Sequence, residues 1–288
     1  AYFNLFTPGM DKYLPWIDRA EGDPMPLWVK PEKPLSAADM KRAMRDHFEG
    51  TPYDMTNDIG AGPYKVPYRW RPMTFKVDSV EYTHERAIAT QQTGFSVVAQ
   101  LRNDVAPELR GLLWFGTDDA NTCVYLPVFC GVRKAPTQLA KGDVNTLDWN
   151  ANFWVNNYVA NQAYNRYSLM IPDIRRVQSE LENAIAEDVR VAYEQIPEFA
   201  DAEIRASLTQ DLADIWAERA TTAYKQLGDF LFVKFMDGNR KKVDENNRFM
   251  RSETGMPLYP EFPGYDERYF RSIVNDAGER LKVHDIKY

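Results

Sequence analysis

Few residues of this 288-residue sequence are of the types that make or break bonds. There are two cysteines, Cys123 and Cys130, and three histidines, His47, His84 and His284. A serine, a histidine and an aspartate together could form a nucleophile, base and orienting acid, but three scattered histidines nominate no such set. The adjacent acids Asp118 and Asp119 could hold a cation. Their setting, Gly116-Thr117-Asp118-Asp119-Ala120-Asn121, lacks the glycine-bracketed spacing of a calcium loop and has hairpin-turn chemistry, so they read as turn residues. No HExxH zinc helix, GxSxG elbow, phosphate-binding glycine loop or dinucleotide fingerprint occurs. What stands out instead is a polar tetrad, Thr90-Gln91-Gln92-Thr93, set between apolar strand-like runs.

These residues need elements to hold them. The stretch 46–100 organises the chain: a helix ends in a loop rich in glycine and proline, the loop feeds a strand, and the tetrad interrupts the strands before another begins at Phe95. Upstream, residues 1–35 are rich in proline and aromatics and are expected to wrap a surface as irregular structure. Ser36, with Asp39 three positions on, predicts a capped helix. Met40, Ala43, Met44, His47 and Phe48 follow its apolar spacing, and Gly50 supplies the stop. His47 on that stripe reads as a core or helix-end histidine, and His84 as an exposed turn residue. The run Tyr68-Arg69-Trp70-Arg71 could stack on bases, but in a chain of net charge −7 guanidinium–carboxylate pairing is its expected use. Residues 73–83, 95–99, 112–115, 123–126 and 128–129 read as strands, and their short separations predict antiparallel pairing.

The second half reads as helical. Residues 149–170 form a helix in which Asn157, Asn161 and Asn165 recur four apart. That face is either solvated or a buried amide ladder fixing neighbouring loops, and the sequence leaves both open. Asp173 is expected to open a longer helix with Ile174, Val177, Leu181, Ile185 and Val189 inward. Another, opened near Asp201, turns Ile204, Leu208, Leu212 and Ile215 inward and runs towards Gly228, making a helical hairpin packed on the sheet. Residues 230–236 are a last apolar helix or strand. Beyond Asp237-Gly238 the chain is polar and loop-like, with a short helix near 266–281.

Composition sets outer limits. Hydrophobic residues at 44%, charged residues at 27% and aromatics at 13% favour a packed core over a disordered chain. The acidic balance offers no global attraction to nucleic acid or an anionic membrane, and no apolar run is long enough to span a bilayer. If extended, the run holding both cysteines would put them roughly 23 Å apart, beyond disulfide reach, so buried free thiols are expected and the compartment stays open. Periodicity and spacing by themselves lead to a soluble α+β domain.

Four separate blocks lead further. EGTPYDMT (49–56), PYRWRPM (67–73), ERAIATQQTGFSVVAQLR (85–102) and GLLWFGTDDANT (111–122) closely resemble, in this order, the dipeptidase A-like family of cysteine peptidases. The resemblance continues more weakly to about Lys242. It implies an N-terminal-nucleophile hydrolase: a four-layer αββα sandwich with two antiparallel sheets, to which this chain would contribute a part with an added helical hairpin. It also implies cleavage of dipeptides or short peptides by a cysteine exposed as a first residue. The thiolate attacks the scissile carbonyl and its own α-amine serves as base, without metal or organic cofactor.

The sequence departs from that pattern at its start. Residue 1 is Ala1, and neither Cys123 nor Cys130 can offer a terminal amine. The chain is therefore expected to be the C-terminal portion of such an enzyme, a processed or trimmed product without activity by itself. Its implied partners are a dipeptide or short peptide substrate and the nucleophile-bearing half of the same protein, with self-association as a further expectation. The alternatives are an acyl-amide hydrolase of the same superfamily and a non-catalytic binding or structural relative.

In that superfamily later strands contribute polar side chains that position substrate and stabilise the oxyanion, which makes Thr90, Gln91, Gln92 and Thr93 candidates for these donors. Arg86 is the candidate clamp for a dipeptide's free carboxylate. No catalytic residue is assigned. The expected organisation is a sheet-forming core with an irregular N-terminal wrap over 1–150, a helical segment packed on it over 151–238 and a loop-rich tail over 239–288. Any export signal would lie upstream of Ala1.

Overall fold

The computed structural model describes residues 2–199 and 201–283, so that Ala1 and His284 lie outside the described residues. The N-terminal stretch is less irregular than its prolines suggest. Helix α1 (Tyr2–Phe6) and helix α2 (Leu14–Arg19) both form, and Pro15 lies in the first turn of α2, where a missing N–H breaks no helical bond. Helix α3 (Ala37–Met44) opens in the predicted capping box, with Ser36 and Asp39 bonded reciprocally. It stops sooner than the apolar spacing implies. Asp46 Oδ1 accepts from the Phe48 amide at 2.9 Å, and Phe48 takes φ +66°, so His47 and Phe48 lie beyond the helix.

Strands β1 (Thr74–Val77) and β2 (Val80–Thr83) form a hairpin where one strand was expected. Asp78 and Ser79 both take positive φ, the turn that matches strand twist. A second antiparallel sheet runs β3 (Phe95–Leu101), β4 (Gly111–Thr117) and β5 (Leu126–Phe129), as the short spacings predict. Residues 123–125 do not join β5. They belong to a connection, 118–125, that is buried throughout and held by side chains instead of closing a tight hairpin.

The helical half differs at its boundaries. After the short α4 (Thr137–Ala140), the expected single helix is broken at residues 164–166 into α5 (Asn152–Ala163) and the start of α6 (Tyr167–Gln195). Pro172 lies inside α6, and Asp173 is not its cap: Asp173 pairs with Lys234. Helix α7 (Ala202–Phe235) begins, as predicted, on Asp201, whose carboxylate accepts from the Glu203 amide at 2.7 Å. It runs through Gly228 and takes in the apolar run at 230–235. Gly228 is a packing position, because a Cβ there would stand 2.3 Å from Tyr158 Cδ1 on α5. Asp188 meets Trp216 and Asp173 meets Lys234, so α6 and α7 pair antiparallel as a hairpin. Helix α8 (Glu267–Ala277) follows in the tail, capped by Asp266.

The described fold is α+β with antiparallel sheets, and no described helix is long and apolar enough to cross a membrane. One face of the larger sheet carries Val98, Leu112, Trp114 and Phe129 into the core with Val155, Val159, Ile174, Ile185, Tyr224 and Leu231. Register places Phe95, Val97, Ala99 and Leu101 with Leu113, Phe115 and Val128 on the opposite face. That face is apolar and open: Phe95 is 64% and Leu101 83% exposed. Both cysteines are free, but only Cys123 is buried. Cys130 is exposed at the end of β5, correcting the expectation of two buried thiols.

Candidate functional site

The tetrad sits at the end of the sheet where β3 begins, opposite the end of β4. Thr93 N donates to Thr90 O at 3.0 Å and the two hydroxyls meet at 3.1 Å, closing a turn. Thr90 and Gln91 point inward and are buried, Gln92 is exposed and Thr93 half-buried. The tetrad therefore has two sides with different uses.

On the outer side, Gln92 is held by the block at 67–73. With its amide nitrogen donating to Tyr68 Oη, its oxygen accepts from Arg71 Nε and Nη2 at 3.3 Å. Arg86 is exposed, and both Arg71 and Arg86 act on the Tyr68 phenol electrostatically, which burial pushes up and the two cations push back down. Among the described residues neither Arg71 nor Arg86 pairs with a carboxylate. The expected guanidinium–carboxylate use of this run holds only for buried Arg69, which pairs with Asp58. A guanidinium without a carboxylate partner beside an exposed amide, as Arg71 is beside Gln92, can receive a carboxylate, and in favourable geometry does so bidentately. Sequence reasoning weighed Arg71 only as part of the run Tyr68-Arg69-Trp70-Arg71, because its spacing says nothing of which side chain it will meet.

On the inner side lies a buried polar network. Asp119 is fully buried and accepts from Asn121 N and Thr122 N at 3.2 Å each, from Thr122 Oγ1 at 3.0 Å and from Tyr164 Oη at 3.2 Å. Tyr164 Oη also lies 3.2 Å from His47 Nε2, and His47 Nδ1 lies 3.4 Å from Glu49 Oε1. Burial raises the Asp119 carboxyl, against which His47 and these donors work. Glu49 goes the other way, to about 2: burial alone would raise it, but the hydrogen bond and charge of His47 prevail. His47 is thus a core histidine, as its stripe suggests, though outside a helix. His84 is not a free turn residue, because its ring lies 4.8 Å from that of Phe75.

Helix α6 fastens the same connection by polar side chains that its apolar periodicity does not reveal. Gln178 Nε2 donates to Cys123 O at 2.6 Å, Arg175 Nη1 to Asn121 O at 2.6 Å, and Glu182 accepts from Tyr125 N at 2.9 Å while pairing with Arg45 at 2.6 Å. Asp118 and Asp119 are therefore turn residues, but of a buried turn, and no group of three or more metal-ligating side chains occurs among the described residues. The asparagines of α5 divide. Asn157 donates to Asp118 and the exposed Asn161 accepts from Gln91, whereas Asn165, also exposed and just beyond α5, only donates back to Asn161 O. A second pair that sequence reasoning missed, Asn152 and Asn156, is buried against Thr117 and Thr221.

The sequence has relatives among known proteins. The chain is 24% identical over 227 residues to dipeptidase A of Lactobacillus helveticus, an alignment covering 78% of this chain and 41% of that protein. The chain thus spans well under half the length of that curated relative. Peptidase family C69 matches over residues 1–180, which contain the 67–73 block, the tetrad and the buried turn. On that match, this chain belongs to peptidase family C69.

Proposed function

We propose that this chain is the substrate-holding part of a cysteine hydrolase that cleaves dipeptides or short peptides, with the nucleophile supplied by a further part of the same enzyme. The observation that carries this reading is the contact of Gln92 with Tyr68 and Arg71 on the outer side of the tetrad, in a C69 chain whose two cysteines are internal. Arg71 and Arg86 would receive the free carboxylate of the peptide, while tetrad amides and hydroxyls would donate to the carbonyl oxygen as negative charge develops there. The thiolate forms the C–S bond, the peptide C–N bond breaks and the amine leaves with a proton. Water then releases the acid and restores the thiol.

The open apolar face of β3, β4 and β5 supports the same reading. A contiguous apolar patch is seldom left in water, and a second sheet packed about 10 Å above it would complete a sandwich of the kind expected for an N-terminal-nucleophile hydrolase. Dipeptidase A of Lactobacillus helveticus has ample sequence outside the aligned region to supply that sheet.

The test is turnover by this chain assembled with a polypeptide that begins with cysteine, identified by intact mass and N-terminal sequencing. Dipeptides should be cleaved and acyl amides should not, and alkylation of that cysteine should abolish turnover. Arg86→Ala should raise KM for dipeptides about tenfold with little change in kcat, and C-terminally amidated dipeptides should not distinguish it from the parent. Cleavage that survives alkylation would overturn the assignment.

A further inference from the structure

Two of the three asparagines singled out by their spacing, Asn157 and Asn161 of α5, join the tetrad to the buried turn. Gln91 Nε2 donates to Asn161 Oδ1 at 3.1 Å, Asn161 Nδ2 to Asn157 Oδ1 at 2.8 Å, and Asn157 Nδ2 to Asp118 Oδ1 at 3.0 Å. All three bonds run in one direction, so each amide polarises the next towards the carboxyl. Both ends are unfinished. Gln91 Oε1 and Asp118 Oδ2 are buried, and among the described residues no donor reaches either. Asp118 is tied to the same loop by its backbone, its N–H donating to Gly94 O at 2.8 Å, and it holds φ +65°, a left-handed conformation that aspartate adopts more readily than most residues.

The neighbours of Asp118 decide where its proton resides. Asn157 faces it from α5, and Asp119 and the buried thiol of Cys123 lie on its own connection. His47, from the segment after α3, acts on Asp119 and meets it through Tyr164. Among the described residues no guanidinium or ammonium pairs with Asp118. Two carboxylates side by side in one buried turn do not both ionise readily. Asp119 has four donors, whereas Asp118 has the Asn157 amide and the Asp119 backbone N–H, so Asp119 keeps the charge and Asp118 the proton. Burial accordingly pushes the Asp118 carboxyl up to about 7. Since Oδ1 already accepts from Asn157, the proton belongs on Oδ2.

We propose that Asp118 is a positioning residue for the tetrad: its Oδ2 proton and the Asn157–Asn161–Gln91 chain act as one unit, so that losing the proton moves Gln91 and, with it, the outward Gln92 and Thr93. The carboxylate left behind pulls harder on Asn157, a charge-assisted bond replacing a neutral one, and the pull passes along the aligned amides. The functional meaning rests on the tetrad being part of the peptide site, but the coupling itself needs no turnover to be seen.

The experiment is an NMR titration of the full chain with 13C in aspartate carboxyls and 15N in glutamine amides. In the parent chain, the Asp118 carboxyl carbon and the Gln91 and Gln92 side-chain amides should shift with one shared midpoint near neutral pH. Asp118→Asn should flatten the glutamines. If that variant fails to fold, Asn161→Ala, a truncation at an exposed position, cuts the chain between its ends: Asp118 should still titrate, and Gln91 should stop following it. Glutamine amides that stay flat while Asp118 titrates in the parent, or that still follow it in Asn161→Ala, would overturn the coupling whether or not the assembled protein cleaves peptides.

Discussion

Lys234 Nζ lies 2.9 and 2.8 Å from the two carboxylate oxygens of Asp173, joining the last turn of α7 to the first part of α6 across 61 residues of sequence. Both side chains are only 11% exposed, so each charge has exchanged most of its water for the other. Lys234→Ala should therefore cost about 3–5 kcal/mol by leaving a buried carboxylate without its cation. Replacing both, Lys234→Met with Asp173→Leu, should recover most of that loss. Urea unfolding midpoints of the two variants decide it, and a single variant as stable as the parent would show that the pair does not hold the hairpin.

Gly228 admits a ring where any side chain would collide. A Cβ would meet Tyr158 Cδ1 at 2.3 Å and Cε1 at 2.4 Å. Gly228→Ala should destabilise the chain by about 1–3 kcal/mol through overpacking, although alanine is the better helix former. Adding Tyr158→Leu should return part of the loss in thermal unfolding. A stabilised Gly228→Ala would mean that α5 and α7 do not approach this closely.

Stability should depend on pH through Asp118. Its carboxyl is raised from 3.8 to about 7 in the fold, so between these values the folded chain holds a proton that the unfolded chain has lost. The contribution is present in full below the unfolded value and disappears as pH rises through 7, a loss of up to roughly 4 kcal/mol. Glu49, lowered from 4.5 to about 2, acts in the opposite sense but below that window, its contribution vanishing as pH falls towards 2. Chemical denaturation at pH 5 and pH 8 should show the parent weaker at pH 8, with Asp118→Asn much less sensitive over the same interval. Equal slopes in both proteins would assign the dependence elsewhere.

The open sheet face should make the chain self-associate when it is alone. Leu101, 83% exposed, and Phe95, 64% exposed, flank it. Leu101→Lys should leave unfolding within about 0.5 kcal/mol of the parent, because the side chain is already in water. The same change should weaken association measured by sedimentation velocity and impair assembly with a nucleophile-bearing polypeptide. A parent chain that stays monomeric at high concentration would remove the need for a covering sheet.

Much of this protein was legible from its residues because the signals are local. Ser36 and Asp39 cap α3, Asp201 caps α7, and the apolar alternation of residues 95–99 and 112–115 marks two antiparallel strands, since capping and strand periodicity depend on neighbours a few positions away. The four blocks also pointed to the peptidase family that the comparison shows. Element ends were less legible where distant groups intervened: Asp46 and Phe48 turn the chain beyond α3, and Tyr158 turns Gly228 from an apparent stop into a contact.

Only the tertiary structure decided which polar residues meet. His47 and Tyr164 are 117 residues apart, Tyr164 and Asp119 45, and Gln91 and Asn161 70. No periodicity encodes such pairs. A buried polar group must find a partner or lose its hydration without return, and the partner it finds is whichever group the packing of sheet and helices brings within 3 Å or so. The sequence alone determined that this chain carries amides, acids and guanidiniums in the blocks around one polar tetrad. Packing decided that Gln92 is exposed and meets Tyr68 and Arg71, and that Gln91 faces inward to Asn161, which leads through Asn157 to Asp118.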